Sequence, residues 1–475
     1  MMRRTTLPAL VLGPLLVLTA CGDGDSPAAD GAPERGVPAP PAASRAPAPG
    51  EGSQDPDDIN GDGHRDLLVP VFFRDERAVD DQRIAVVYGS ADGLDPRTRT
   101  VYGRSDLGLP EPPAEATARE RLTVSETVTA DLDDDGFPDF VTTAGVREPG
   151  QEGWSAMPYV SFGGPRQPVA DPEVVALRLP ASVRGVSSPV RGDFDADGHH
   201  DLAVQEQTTS QLVVMYGPFS RAGEPARLDT SLPRKDGSAL LADEIDPTGE
   251  PRATSLLLRG LTDGEQATNT LFPARPGTGL SGDGRELRLG SAHAFGDFDG
   301  DGQRDVAVGD DFGRNNEPGY ESEKPEVDGK ATIYPGDGGE PVLLTLPEPP
   351  EGEATDYGPG GFTAADPDGD GRDALLVSTY EDATLIDGDE RTSVLREGPA
   401  RTADGVKTPA KDRNARPAGA VDFDGDGKDE LILNWAPDGL FALYGEKPTY
   451  WWITEGSSSR DAVTFTTTEF LPHGP

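Results

Sequence analysis

Asp58-Ile59-Asn60-Gly61-Asp62-Gly63-His64-Arg65-Asp66, running into the apolar Leu67-Leu68-Val69, sets the reading of the whole chain because it returns. Numbered 1 to 9, its oxygen-bearing positions are 1, 3, 5 and 9, with Gly at 6. Asp131, Asp133, Asp135 and Asp139 repeat it, as do Asp193, Asp195, Asp197 and Asp201, and Asp297, Asp299, Asp301 and Asp305. Two further copies change at the end: Asp366, Asp368 and Asp370 are followed by Asp373 and then Ala374 at position 9, and Asp422, Asp424 and Asp426 close on Glu430. A seventh, eroded copy is read at Glu244-Ile245-Asp246-Pro247-Thr248-Gly249-Glu250, with Thr248 and Arg252 at ligand positions and Ser255-Leu256-Leu257-Leu258 as its strand. The seven starts have a mean spacing of about 61 residues, room for four short strands and their turns.

Carboxylates at alternating positions let a short loop wrap one hard cation, and Gly supplies the positive φ of the turn. Oxygen-only ligation selects calcium over zinc or copper. An EF-hand would need Glu at position 12, but Val69, Thr142, Val204, Val308, Val377 and Leu433 stand there, all strand residues. The closing carboxylate is therefore position 9, and position 7 (His64, Phe137, His199, Gln303, Arg372, Lys428) is expected to offer its backbone carbonyl. Five to six structural calcium ions are expected, with the Asp366 loop doubtful and the Glu244 unit metal-free.

Each unit has a second landmark, a β-branched and aromatic run ending in a turn: Ile84-Ala85-Val86-Val87-Tyr88-Gly89, Leu212-Val213-Val214-Met215-Tyr216-Gly217 and Phe441-Ala442-Leu443-Tyr444-Gly445, with similar runs ending near Gly163 and Gly336. No stretch sustains a helical period. Seven all-β units imply an all-β, seven-bladed β-propeller with Asp-rich calcium-binding hairpin loops, since ring closure removes exposed sheet edges. The repeated loop, with Val87-Tyr88-Gly89-Ser90-Ala91-Asp92-Gly93-Leu94 and Gly296-Asp297-Phe298, resembles the FG-GAP and VCBS-type repeats of integrin α-subunit propellers and bacterial surface proteins. That resemblance spans about residues 57–445 and implies a binding function by analogy.

The N-terminal part reads differently. Arg3 and Arg4 precede an apolar run, Leu7 to Leu18, and Leu18-Thr19-Ala20-Cys21 ends it, resembling the lipobox of bacterial lipoproteins. Cys21 is the sole cysteine of 475 residues, so it is the expected lipidation site and no intramolecular disulfide exists. The run is too short to span a bilayer, which fits a cleaved signal at 1–21. Residues 22–56, rich in Ala, Pro, Gly and Ser, read as a disordered linker, leaving 57–475 as the propeller. Residues 462–470 alternate like a strand and are expected to complete the first blade.

Formal net charge is −43, which argues against nucleic acid or an anionic membrane surface as partner. Other motifs carry little. In Arg191-Gly192-Asp193 the Asp already serves a loop, Gly277 to Gly282 follows Pro276 without a βαβ unit, the five His show no zinc spacing, and no nucleophile elbow occurs. Tyr450-Trp451-Trp452 with Trp435 is expected to be strand and core, or else a stacking surface for a sugar. The leading expectation is a monomeric, extracytoplasmic, lipid-anchored module that binds a protein or glycan and is not an enzyme. A surface hydrolase or lyase on the same scaffold, and a purely structural envelope component, are the alternatives.

Overall fold

Strand propensity and loop spacing play out blade by blade in the computed structural model. It describes residues 44–71, 83–110, 127–146, 155–166, 173–186, 189–207, 211–233, 239–260, 266–312, 324–347, 361–378, 383–401, 407–410, 413–436, 449–458, 460–468 and 470. Cys21, the expected signal and most of the expected linker lie outside these residues, as does the strand expected at Phe441–Gly445. No α-helix occurs among the described residues.

Blade 1 is β1 (Leu67–Val71), β2 (Arg83–Val87) and β3 (Arg99–Tyr102). Blade 2 is β4 (Val128–Ala130), β5 (Asp139–Val146), β6 (Ser155–Ser161) and β7 (Val174–Ala176). Blade 3 is β8 (Val190–Gly192), β9 (Asp201–Gln205), β10 (Leu212–Phe219) and β11 (Pro225–Asp229). Blade 4 is β12 (Ala239–Ala242), β13 (Leu256–Arg259), β14 (Asn269–Phe272) and, after a small hairpin of β15 (Ala274–Arg275) and β16 (Gly279–Leu280), β17 (Arg285–Leu287). Blade 5 is β18 (Ala292–Gly296), β19 (Asp305–Gly309), β20 (Lys330–Tyr334) and β21 (Val342–Thr345). Blade 6 is β22 (Phe362–Ala365), β23 (Ala374–Ser378), β24 (Ala383–Asp387) and β25 (Glu390–Ser393). Blade 7 is β26 (Arg416–Val421), β27 (Glu430–Trp435), β28 (Tyr450–Thr454) and β29 (Asp461–Thr466). Each blade is an antiparallel meander, and together they make a seven-bladed β-propeller.

First strands neighbour one another around the centre and fourth strands face out. The second strand is covered on both faces by adjacent blades, so β9, β19 and β23 are buried at every position and read as continuous apolar runs instead of alternating ones. A separate apolar cluster fills each blade junction. Tyr88 and Tyr102 meet Phe140 between blades 1 and 2, and Leu257 meets Val306 and Tyr334 between blades 4 and 5. Val69 and Val87 of blade 1 pack on Trp451 and Phe465 of blade 7, and that contact closes the ring. Trp435, Trp451 and Trp452 are all buried, so the aromatic cluster is core and not a stacking surface.

Three expectations need correction. Residues 462–470 do not complete the first blade: β29 pairs with β28, Tyr450 opposite Thr466, as the fourth strand of blade 7. Among the described residues side chains cross the seam, with the Arg99 guanidinium 4.5 Å over the Phe470 ring. The linker does not stay unfolded up to residue 56, because residues 44–56 lie against the ring. The Gly50 N–H donates to Asn60 O, the Gly52 N–H to Gly61 O and the Ser53 N–H to Gly136 O. Blade 1 keeps a single rung of its missing first strand, Asp66 N–H to Asp57 O. Asp57 then takes Arg191 of β8 (2.6 Å), and Arg191 in turn bonds the Thr129 hydroxyl of β4, an ionic pin between the first strands of blades 2 and 3.

The eroded unit is also misplaced by one residue. Ala242 pairs with Leu256 where Ala130 pairs with Asp139, so the position-1 residue is Asp243, not Glu244, and the loop has thirteen residues (243–255) in place of eight (131–138). Proline and the extra residues hid the register.

Candidate metal centre

All six clear loops fold alike, and backbone amides explain why. The position-1 carboxylate accepts the N–H groups of positions 5 and 6: Asp297 takes Asp301 (3.1 Å) and Gly302 (2.8 Å), and Asp131 takes Asp135 (3.1 Å) and Gly136 (2.9 Å). The position-5 carboxylate accepts the N–H of position 7, as Asp426 does from Lys428 (2.9 Å). These bonds gather the carboxylates. One oxygen from each of Asp131, Asp133 and Asp135 lies within 4.8 Å of the others, and the same holds for Asp193, Asp195 and Asp197, for Asp297, Asp299 and Asp305, for Asp366, Asp368 and Asp370, and for Asp422, Asp424 and Glu430. In the first loop Asn60 replaces one carboxylate between Asp58 and Asp62.

Position 9 turns out to have two partners. Asp201 accepts the Phe194 N–H at 2.7 Å on one oxygen and the Gly217 N–H at 2.8 Å on the other. Asp66 holds Ile59 and Gly89 likewise, Asp139 holds Leu132 and Gly163, and Asp305 holds Phe298 and Gly336. In these four blades the landmark Gly at the end of the third strand thus meets the loop. A Cβ on Gly89 would stand 2.1 Å from the Arg65 carbonyl oxygen, too close for any other residue. Blade 6, with Ala374 at position 9, lacks this staple, and Arg372 pairs with Asp387 beside Gly388 instead.

Burial first, then neighbouring carboxylates, push position 9 upward against the pull of those amides. Asp139 and Asp201 rise to about 8, Glu430 to about 7, Asp305 to about 6, and Asp66 stands well above its ordinary value. Position 1 follows, with Asp131 raised to about 6 for the same causes.

A cation fits where an oxygen is left over. Asn60 Oδ1, Asp133 Oδ1 and Asp195 Oδ1, the position-3 oxygens of the first three loops, are buried without a hydrogen-bond partner. The other oxygen of Asp133 is 2.5 Å from Arg221 Nε, and that of Asp195 is 2.7 Å from Arg227 Nη2. An unpaired buried oxygen costs about 1–3 kcal/mol, which a hard cation in the loop removes. The donor set is all oxygen and suits calcium. The eroded loop solves the problem differently: Arg252 sits between Asp243 (3.1 Å) and Asp246 (3.6 Å), with Arg304 Nε 3.0 Å from Asp243.

Sequence reading passed over three features. Position 4 is left-handed in every clear loop, Gly in four and Asp134 (φ 58°) and Ala196 (φ 56°) in two. Arg221 and Arg227 come from outside the motif. Position 8 clasps the preceding blade: Asp373 accepts the Asp297 N–H (2.6 Å), Asp429 the Asp366 N–H (2.8 Å), and His200 Nδ1 the Asp131 N–H (2.8 Å). Asp373 therefore faces blade 5 and pairs with Arg304, and does not stand in for the missing position 9. Its partner lies 76 residues away, and no local pattern reveals that.

No family model matches the chain. It resembles part of the Photorhabdus luminescens Tc holotoxin pore at 16% identity (84% of this chain, 17% of that one, TM-score 0.32). It also resembles BBS1N in its complex with ARL6DN (11% identity, 65% and 88%, TM-score 0.25) and the V. cholerae biofilm matrix protein Bap1 (12%, 91% and 98%, TM-score 0.23). The chain spans only 17% of the length of the first, and similarities this distant carry nothing about function. Fold and site together define a seven-bladed propeller whose hairpin loops gather carboxylates suited to a cation.

Proposed function

We propose that this is a calcium-binding propeller of the FG-GAP/VCBS kind, lipid-anchored through Cys21 outside the cytoplasm, that binds a protein or glycan and is not an enzyme. The observation that carries the calcium part is the set of buried, unpartnered oxygens on Asn60, Asp133 and Asp195. The binding part is supported by the seam between blades 7 and 1, hollowed into adjoining grooves of about 690 and 860 Å³. Asp424 and Glu430 of the seventh loop line one groove, and Asn60 and Asp62 of the first loop line the other. The perturbed carboxylates at position 8, Asp373 and Asp429, are occupied as blade clasps, which favours a binder over a hydrolase.

The test combines a calcium titration of the purified protein with capture from envelope extracts and a glycan array, each with calcium and with chelator. A ligand retained only in calcium supports the reading. Absence of any calcium-dependent ligand in both formats overturns the binding part, and absence of calcium uptake overturns the metal part.

A further inference from the structure

A separate segment of chain wraps the first loop and reaches the second, where the Ser53 N–H donates to Gly136 O. Residues 48–57 pass over the first loop, with Gly50 N–H on Asn60 O (2.9 Å) and Gly52 N–H on Gly61 O (3.1 Å). The approach is so close that a Cβ on Gly50 would stand 1.8 Å from Gly61 O. The Ser53 hydroxyl accepts the Asp55 N–H at 3.1 Å and lies beside the Asp58 carboxylate, where it favours the charged form. Asn60 Nδ2 donates to Ala48 O and to Asp62 Oδ2, both at 2.9 Å. Both partners are acceptors, so the amide has one orientation, and it leaves Oδ1 buried, 2% exposed as a residue, with nothing to bond. Farther along, Asp55 pairs with Arg65 (2.8 Å) and Asp57 with Arg191 (2.6 Å).

We infer that residues 45–57 form a strap fastened by a cation in the first loop, with Ala48 and Ser53 as the positioning residues that aim Asn60 and Asp58 at it. The inference rests on the reading that these loops bind calcium. Outer partners that fix a ligand's orientation govern metal affinity, and binding that orders a segment is coupled to that ordering. With the cation bound, the strap holds the chain to the ring from residue 45. Without it, Asn60 Oδ1 has no reason to keep its burial, and the chain is released back to about residue 57. That release adds about 13 residues, or at most about 45 Å of reach, between the ring and whatever the N-terminal part is attached to.

Hydrogen exchange by mass spectrometry on the full chain tests this. In calcium, the amides of Gly50, Gly52 and Ser53 are expected to be protected. Chelation is expected to speed their exchange at least tenfold while β9 and β19 stay protected. Asn60→Leu is expected to free the strap in calcium, and Asp422→Asn in the seventh loop to leave it fastened. If Asn60→Leu does not fold, Ser53→Ala decides, with an expected several-fold loss of strap protection. Strap exchange that ignores chelator and these variants while calcium still binds elsewhere ends the inference and spares the metal reading. Strap and core strands opening together on chelation also ends it. No calcium uptake at all ends both.

Discussion

At Ala196 a methyl group sits on a left-handed backbone, φ 56°, where four of the six clear loops have Gly. Such a conformation costs an L-residue about 1–2 kcal/mol, partly offset by the greater freedom Gly loses on folding. Ala196→Gly is therefore expected to stabilise the protein by about 0.5–1 kcal/mol in chemical denaturation. Gly89→Ala should do the opposite and cost about 2–4 kcal/mol, because its Cβ would collide with the Arg65 carbonyl and displace the amide from Asp66. The position-9 acids give a pH signature. Asp139 and Asp201, raised to about 8, hold protons in the folded, cation-free protein that the unfolded chain loses near pH 4. A folded state that binds more protons loses stability as pH rises, so cation-free stability is expected to fall between about pH 4 and pH 8. Calcium should abolish that fall by taking the place of the proton. Denaturation midpoints at several pH values, with and without calcium, check it, and a cation-free midpoint that rises with pH contradicts it.

At the scale of the blade, much was legible because the loop and its strand are contiguous. Ligand, turn and apolar run sit within a dozen residues, so local chemistry specifies them, and the Gly of the third strand could be seen though not explained. What escaped depends on distance in the chain. His200 serves Asp131 69 residues earlier, and Asp373 serves Asp297 across another junction. The strap carries the Ala, Pro and Gly composition of a linker and no apolar period, yet the backbone N–H groups of Gly50, Gly52 and Ser53 hold it to the ring, and such donors leave no side-chain pattern in the sequence. The C-terminal strand was assigned to the wrong blade because an alternating pattern marks a strand and not its partner. The clasps should matter energetically. His200 is buried and its ring is held neutral, pushed down to about 4 by burial and Arg191, so Nδ1 is free to accept the Asp131 N–H. His200→Ala leaves that amide without its partner and is expected to cost about 1–3 kcal/mol in denaturation. A loss within about 0.5 kcal/mol would mean that the clasp is ornamental.

For the whole molecule the dominant fact is a net charge of −43 with carboxylates drawn together at five loops. Like charges this close destabilise the ring unless something positive enters, and the loops are built for two sources of it. In blade 4 an arginine supplies it permanently, since Arg252 spans Asp243 and Asp246. In blades 2 and 3 Arg221 and Arg227 meet one side of the cluster, and the oxygens left over there and on Asn60 of blade 1 call for an ion. Extracellular calcium sites commonly have affinities on the order of 0.1–1 mM. At about 1 mM calcium, five sites at the tight end of that range would each add about 1.4 kcal/mol, about 7 kcal/mol in all. For a domain of roughly 400 residues that corresponds to a melting temperature lowered by about 8 °C on chelation. Magnesium, smaller and strict in its octahedral geometry, is expected not to restore it. Arg252→Ala should lower stability equally in calcium and in chelator, because its blade draws on no ion, whereas Asp193→Asn should matter mainly in calcium. Thermal scans of the three proteins in calcium, magnesium and chelator separate these outcomes, and a melting temperature indifferent to chelation would leave the carboxylate loops without the ion that their unpaired oxygens require.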